Sequence, residues 1–156
     1  MHLGALKRAS EAALLGLAVL FLIMLTLDWH RTSVRVVGAG DAEAASSGWS
    51  GWGLVAGFCA LAIVGLELDR QFRGRSHEGQ SLVDLGLAVG AAVATVAAIF
   101  TGDASVSAAG LGVEVGSTLW PAWVGLVLAG LMVVAAVVPT LPEANAGASR
   151  ATPNLS

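Results

Sequence analysis

Polar and apolar positions along this chain are sorted into long blocks. No charged residue stands between Glu11 and Asp28, between Glu43 and Glu67, between Asp84 and Asp103, or between Glu114 and Glu143. None of the blocks carries the polar stripe that a helix on the surface of a soluble bundle shows. About 20 mainly apolar residues are enough for a helix to cross a hydrocarbon core of about 30 Å. The pattern therefore predicts an all-α membrane protein with four transmembrane helices, at about residues 9–28, 51–68, 82–101 and 120–138. The first block is short, so Glu11 and Asp28 are expected at the two interfaces, with Lys7 and Arg8 snorkelling outward. Residues 1–10 read as a cytoplasmic N-terminus, 11–139 as one four-helix transmembrane domain, and 140–156 as a disordered cytoplasmic tail beyond Pro139 and Pro142. The bulky "LTLDWH" stands where a signal-peptide cleavage site would need small residues, so the first helix is expected to be a retained anchor.

Composition agrees with the pattern. The 156 residues are 56% hydrophobic and 12% charged, with a mean hydropathy of +0.78, whereas a soluble domain is about 25% charged. Net charge is −3 without a basic run, so no nucleic-acid partner is expected. The one cysteine, Cys59, permits no intrachain disulfide and reads as a small buried hydrophobe. Heavy use of Ala, Val, Gly and Leu fits a bacterial genome rich in GC.

Charge also gives an orientation. Four crossings put both termini and the middle loop on one side, together with Lys7, Arg8, Arg70, Arg73, Arg75 and Arg150; the other side holds Arg31 and Arg35. The positive-inside bias assigns the first side to the cytoplasm of a bacterial plasma membrane. All five tryptophans then fall at the outer boundary: Trp29 at the end of the first helix, Trp49 and Trp52 at the start of the second, Trp120 and Trp123 at the start of the fourth. Indole prefers the headgroup layer, because its body is apolar and its N–H needs a partner. Their concentration on one side suggests an outer rim that binds a lipid or protein partner.

The W-x-x-W signal occurs twice. "SGWSGWGLVAG" at residues 47–57 is echoed by "TLWPAWVGLVLAG" at 118–130, "GLAV" at 16–19 by 86–89, and "VGAGDAE" near 38–43 by "AGLGVEV" near 110–115. The collinear offsets predict two tandem hairpins in parallel orientation, related by an axis along the membrane normal. The pairs Gly53/Gly57 and Gly86/Gly90 have the spacing that lets helix backbones approach closely, and are expected at helix contacts. The bulkier first helix is expected to face lipid. In the outer loops, "RTSVRVV" at 31–37 is β-branched enough for a short strand, and "GVEV" at 112–115 could pair with it.

Candidate chemistry is sparse. His2, His30 and His77 lie outside the crossings, which excludes axial haem ligation within the bundle. No metal-binding, nucleophilic or phosphate-loop motif occurs, so neither a catalytic residue nor a cofactor is expected. Asp28, His30 and Arg31 read as an interfacial polar cluster. The centre of every block is uncharged, whereas ion-coupled transporters bury a carboxylate there. Glu67, Asp69 and Asp84, close to Arg70, Arg73 and Arg75, read as solvated ion pairs. Glu11 is the one possible coupling site. Small multidrug exporters of four helices carry a first-helix glutamate, but the long outer loop fits them poorly, and claudin-like proteins would need paired loop cysteines.

Taken together, "LDWH", "SGWSGW" and "WPAW" on a four-helix plan from about Glu11 to Pro139 resemble small uncharacterised four-helix membrane proteins of the actinobacterial type. That resemblance implies a multi-pass plasma-membrane protein and assigns no catalytic or binding residue. The expected function is non-enzymatic: an accessory or scaffold protein of the cell envelope, in contact with membrane lipids and with a membrane-protein partner or further copies of itself. The alternative is a small transporter or channel subunit.

Overall fold

A computed structural model describes residues 2–36, 40–73, 79–101 and 115–140, with side chains described for residues 8–31, 45–73, 79–101 and 117–140. The element order is α1 (His2–Leu25), β1 (Asp28–Val36), β2 (Gly40–Ser47), α2 (Trp52–Arg73), α3 (Gln80–Thr101), β3 (Val115–Thr118) and α4 (Trp120–Val137). All four helices are long and apolar enough to cross a membrane. Each packs against its neighbours in sequence, and α4 closes back on α1. An up-down-up-down bundle results, capped at one end by a three-stranded sheet. The tail from residue 141 onward lies outside the described residues.

Helix ends depart from the apolar pattern for local reasons. α1 begins at His2, so residues 2–10 continue the helix. It stops at Leu25, because the amide and hydroxyl of Thr26 both donate to the Ile23 carbonyl, at 3.0 and 2.7 Å, tightening the last turn. Asp28 and Trp29, expected at the end of the helix, instead open β1. α2 runs to Arg73, well past residue 68.

In the sheet, β1 is central and antiparallel to both neighbours, in the order β2-β1-β3. The expected pairing between the two outer loops occurs, but it uses Val115–Thr118 against residues 30–33 of β1; residues 112–114 lie outside the described residues. The hairpin partner β2, "GDAEAASS", has little intrinsic β preference and pairs along nearly all of β1.

Trp29 joins the sheet to the bundle. It sits where the β1–β2 register shifts, the kind of irregularity that re-aims a side chain. Its ring is fully buried, edge-on to Phe21 at 6.4 Å between centroids. The indole N–H donates to the Met24 carbonyl at 2.8 Å, and the Trp29 carbonyl accepts from the Leu119 amide at 2.7 Å. Two glycines make room for it. A Cβ on Gly48 would lie 2.5–2.8 Å from indole atoms, and one on Gly125 would lie 2.8–3.0 Å away.

Buried positions follow the three-and-four spacing of a helix face: Leu14, Ala18, Phe21 and Leu25 on α1; Ala56, Ala60, Ile63 and Glu67 on α2; Asp84, Ala88, Ala91, Thr95 and Ala98 on α3; Ala122, Gly125, Ala129, Met132 and Ala136 on α4. Alanine dominates this interior. Although α1 is the least covered helix, 22% buried along its span, it supplies the largest helical core side chain, Phe21. Much other bulk points outward: Phe58, Phe100, Leu82, Val93, Val127 and Val134 are all more than 60% exposed.

Glycine packing differs from the expected helix contacts. Gly53 and Gly57 are buried, but beneath the preceding turn: a Cβ would strike the Gly48 carbonyl and the Trp49 ring respectively. Gly90 approaches the Cys59 sulfur across α2 and α3, at 3.4 Å from an added Cβ. Gly86 has nothing within 4 Å. The close face of α3 is instead its Ala88–Ala91–Thr95–Ala98 stripe, one position round from the glycine row, where the larger Leu85 and Ile99 also pack.

Candidate functional site: a charged cluster inside the bundle

At the end of the bundle away from the sheet, three helices bring their charges to one point. Arg70 stands one turn after Glu67 near the end of α2, Asp84 lies in the second turn of α3, and Glu11 lies on α1. Arg70 Nη1 contacts Glu11 Oε1 and Glu67 Oε1, each at 3.0 Å, and Nη2 contacts Asp84 Oδ2 at 3.0 Å. The planar guanidinium suits this fork, since it presents several donors in fixed directions. Gln80 Nε2 adds a long donor contact to the Leu66 carbonyl at 3.5 Å, tying α3 to α2 beside the cluster.

This arrangement corrects the solvated reading of these residues. Glu67 is 1% exposed and Asp84 3%. Burial follows from their place in the stripes: Glu67 is four residues beyond Ile63, and Asp84 four before Ala88. Asp69 behaves as expected of a surface pair, meeting Arg73 Nε at 3.0 Å with both side chains largely exposed. Arg75 lies outside the described residues. The cluster holds three carboxylates against one guanidinium, and Glu67 Oε2, Asp84 Oδ1 and Arg70 Nε are buried without a hydrogen-bond partner. Glu11, the possible coupling residue of the sequence, thus takes part in a site whose two most buried members the charge pattern alone had placed in water.

The tryptophans divide. Trp29 is inside the protein, and Trp49 is half-buried over Gly57. Trp52, Trp120 and Trp123 are 51%, 63% and 52% exposed at the sheet end, on the first turns of α2 and α4. Of the polar trio beside them, His30 is buried while Asp28 and Arg31 are exposed. His30, Ser46, Ser50, Trp52, Ala98 and Thr101 line a pocket of about 380 Å³ between the sheet and the helix ends.

Among the described residues, no group of three or more His, Cys, Asp or Glu is placed to hold a metal ion. Three carboxylates around one guanidinium are an arrangement that can compensate charge and exchange a proton. No model of a known protein family matches the chain, and no curated protein matches it.

Proposed function

We propose that this chain is a four-span integral protein of a bacterial plasma membrane, working without catalysis as an accessory or scaffold component. It acts by associating with a membrane protein, a further copy of itself, or lipid. One observation carries the reading: the interior is mostly alanine, while Phe58, Phe100, Val93 and Val127 face outward from helices apolar enough to cross a membrane. In water so large an apolar surface would aggregate; in lipid it is solvated, and small interior residues let helices pack closely. The positive-inside bias favours cytoplasmic termini, with the sheet and its exposed tryptophans outside. Trp52, Trp120 and Trp123 form the rim most suited to recognition, since indoles combine apolar area with a donor. A photo-crosslinker at position 123 in native membranes should give a discrete protein or lipid adduct that a probe at lipid-facing Val93 does not. The same adduct pattern from both positions would reduce the rim to an anchor.

The charged cluster favours a second reading, a small transporter or channel subunit, because ionisable residues buried within membrane helices are costly and mark pathways. Reconstituted protein that conducts no ion or proton would remove it, and flux lost in Glu11→Gln would support it.

A further inference from the structure

Glu67 and Asp84 each spend one oxygen on Arg70, and the other oxygen of each is buried without a hydrogen-bond partner. Both side chains are more than nine-tenths buried. One guanidinium neutralises one of these two carboxylates. It also faces Glu11, whose side chain is 19% exposed and so is reached by water. Among the described residues the second buried carboxylate has no counter-charge, and an isolated charge in a low-dielectric interior neutralises itself by binding a proton in preference to remaining ionised. A proton on either carboxylate removes the surplus charge and turns a bare acceptor into a donor. We propose that Glu67 and Asp84 together hold one exchangeable proton, with Arg70 as the fixed counter-charge.

The surroundings contain no competing charge among the described residues. α1 presents Glu11; Arg8 on the same helix is exposed, and the side chains of His2 and Lys7 lie outside the described residues. On α2, Asp69 and Arg73 pair with each other on the exposed side. α4 has no ionisable residue between Trp120 and Val137. Arg75 and His77 belong to residues 74–78, outside the described residues. A coordinated cation is the poorer occupant, because the carboxylates are spread around the guanidinium and are not gathered into a ligand set. The proton belongs to the pair as a unit, as coupled sites titrate together. Glu11 on α1 is tied to the pair through the same donor, because Glu11 and Glu67 share Nη1.

The inference deepens the transport reading and rests on it only for its use, not for its existence. The test is infrared difference spectroscopy of the purified chain in a detergent without carbonyl groups. At neutral pH the wild-type protein should show a protonated-carboxyl stretch that shifts on deuteration and disappears on alkalinisation. Glu67→Gln and Asp84→Asn should each weaken it, and the surface control Asp69→Asn should leave it unchanged. A wild-type spectrum without the band at neutral pH overturns the proposal, and needs no variant to fold. So does a band that survives both substitutions, or one abolished by sodium at constant pH, which would give the site to a cation. A band without flux in vesicles keeps the site and removes the transport reading; flux without a band does the reverse.

Discussion

Replacing Arg70 with methionine keeps the stem of the side chain and deletes the only guanidinium in the cluster. Glu67 and Asp84 then have no counter-charge in an interior where they are 1% and 3% exposed. One of them already carries the shared proton; the other either stays ionised, at the cost of desolvation, or takes up a second. Protonation is cheaper: one further proton costs about 4 kcal/mol at neutral pH, from an ordinary glutamate value of about 4.3 and about 1.4 kcal/mol per pH unit. That agrees with the roughly 3–5 kcal/mol lost when one partner of a buried ion pair is removed. For a chain of this size the loss lowers the unfolding temperature by on the order of 10 °C. The sign with pH follows from proton counting. The folded variant binds protons that the unfolded chain, with its carboxylates in water, has released, so stability rises as pH falls. The deficit should shrink on acidification and vanish near the ordinary carboxylate range. Thermal unfolding in detergent, followed by circular dichroism across that range, measures it. The triple variant Glu67→Gln, Arg70→Met, Asp84→Asn should recover much of the loss. A deficit below about 1 kcal/mol, far under the buried-pair cost, or one independent of pH, would refute the burial of the cluster as a source of stability.

Gly125→Ala should destabilise by about 1–3 kcal/mol through overpacking against Trp29, whereas Gly86→Ala, with nothing within 4 Å, should be neutral or stabilise by up to about 1 kcal/mol; equal melting temperatures would contradict the packing. Trp29→Ala should cost about 3–5 kcal/mol, far more than Trp123→Ala, which removes a half-exposed ring; the same melting assay separates them. In a Cys59→Ala background, a cysteine at Gly40 should react with an impermeant maleimide in intact cells and one at Gly74 should not, and reversed labelling would invert the orientation.

The four helices were legible because uncharged length is a one-dimensional signal, and β1 because Val and Thr cluster in it. β2 was not legible, since "DAEAASS" forms a strand only when β1 is laid beside it. The site was half legible. Counting charges located Glu67, Arg70 and Asp84 at the ends of blocks but left them in solvent. Projecting the same residues on the alanine stripes, Ala60–Ile63–Glu67 and Asp84–Ala88–Ala91, is what would have put them inside. The glycine rows misled for a related reason. In so alanine-rich a chain, alanine already permits close helix approach, and glycine is needed where something larger presses: the Trp49 ring on Gly57 and the Trp29 indole on Gly48 and Gly125. The two copies of W-x-x-W likewise differ in use, for Trp52 and Trp123 are similarly exposed, while Trp49 folds down and Trp120 stands out.

The lodging of Trp29 sets an order of assembly. Its indole N–H finds the Met24 carbonyl five residues earlier, and Gly48 packs on the ring once the hairpin turns. The ring's contact with Gly125 and the Trp29 carbonyl's bond from the Leu119 amide both come from nearly a hundred residues further along the chain. Without α4 the ring lacks its contact with Gly125 and the Trp29 carbonyl lacks the Leu119 amide. The halves therefore do not mature separately, however alike their sequences. The final helix thus completes the Trp29 site that the first helix and hairpin begin.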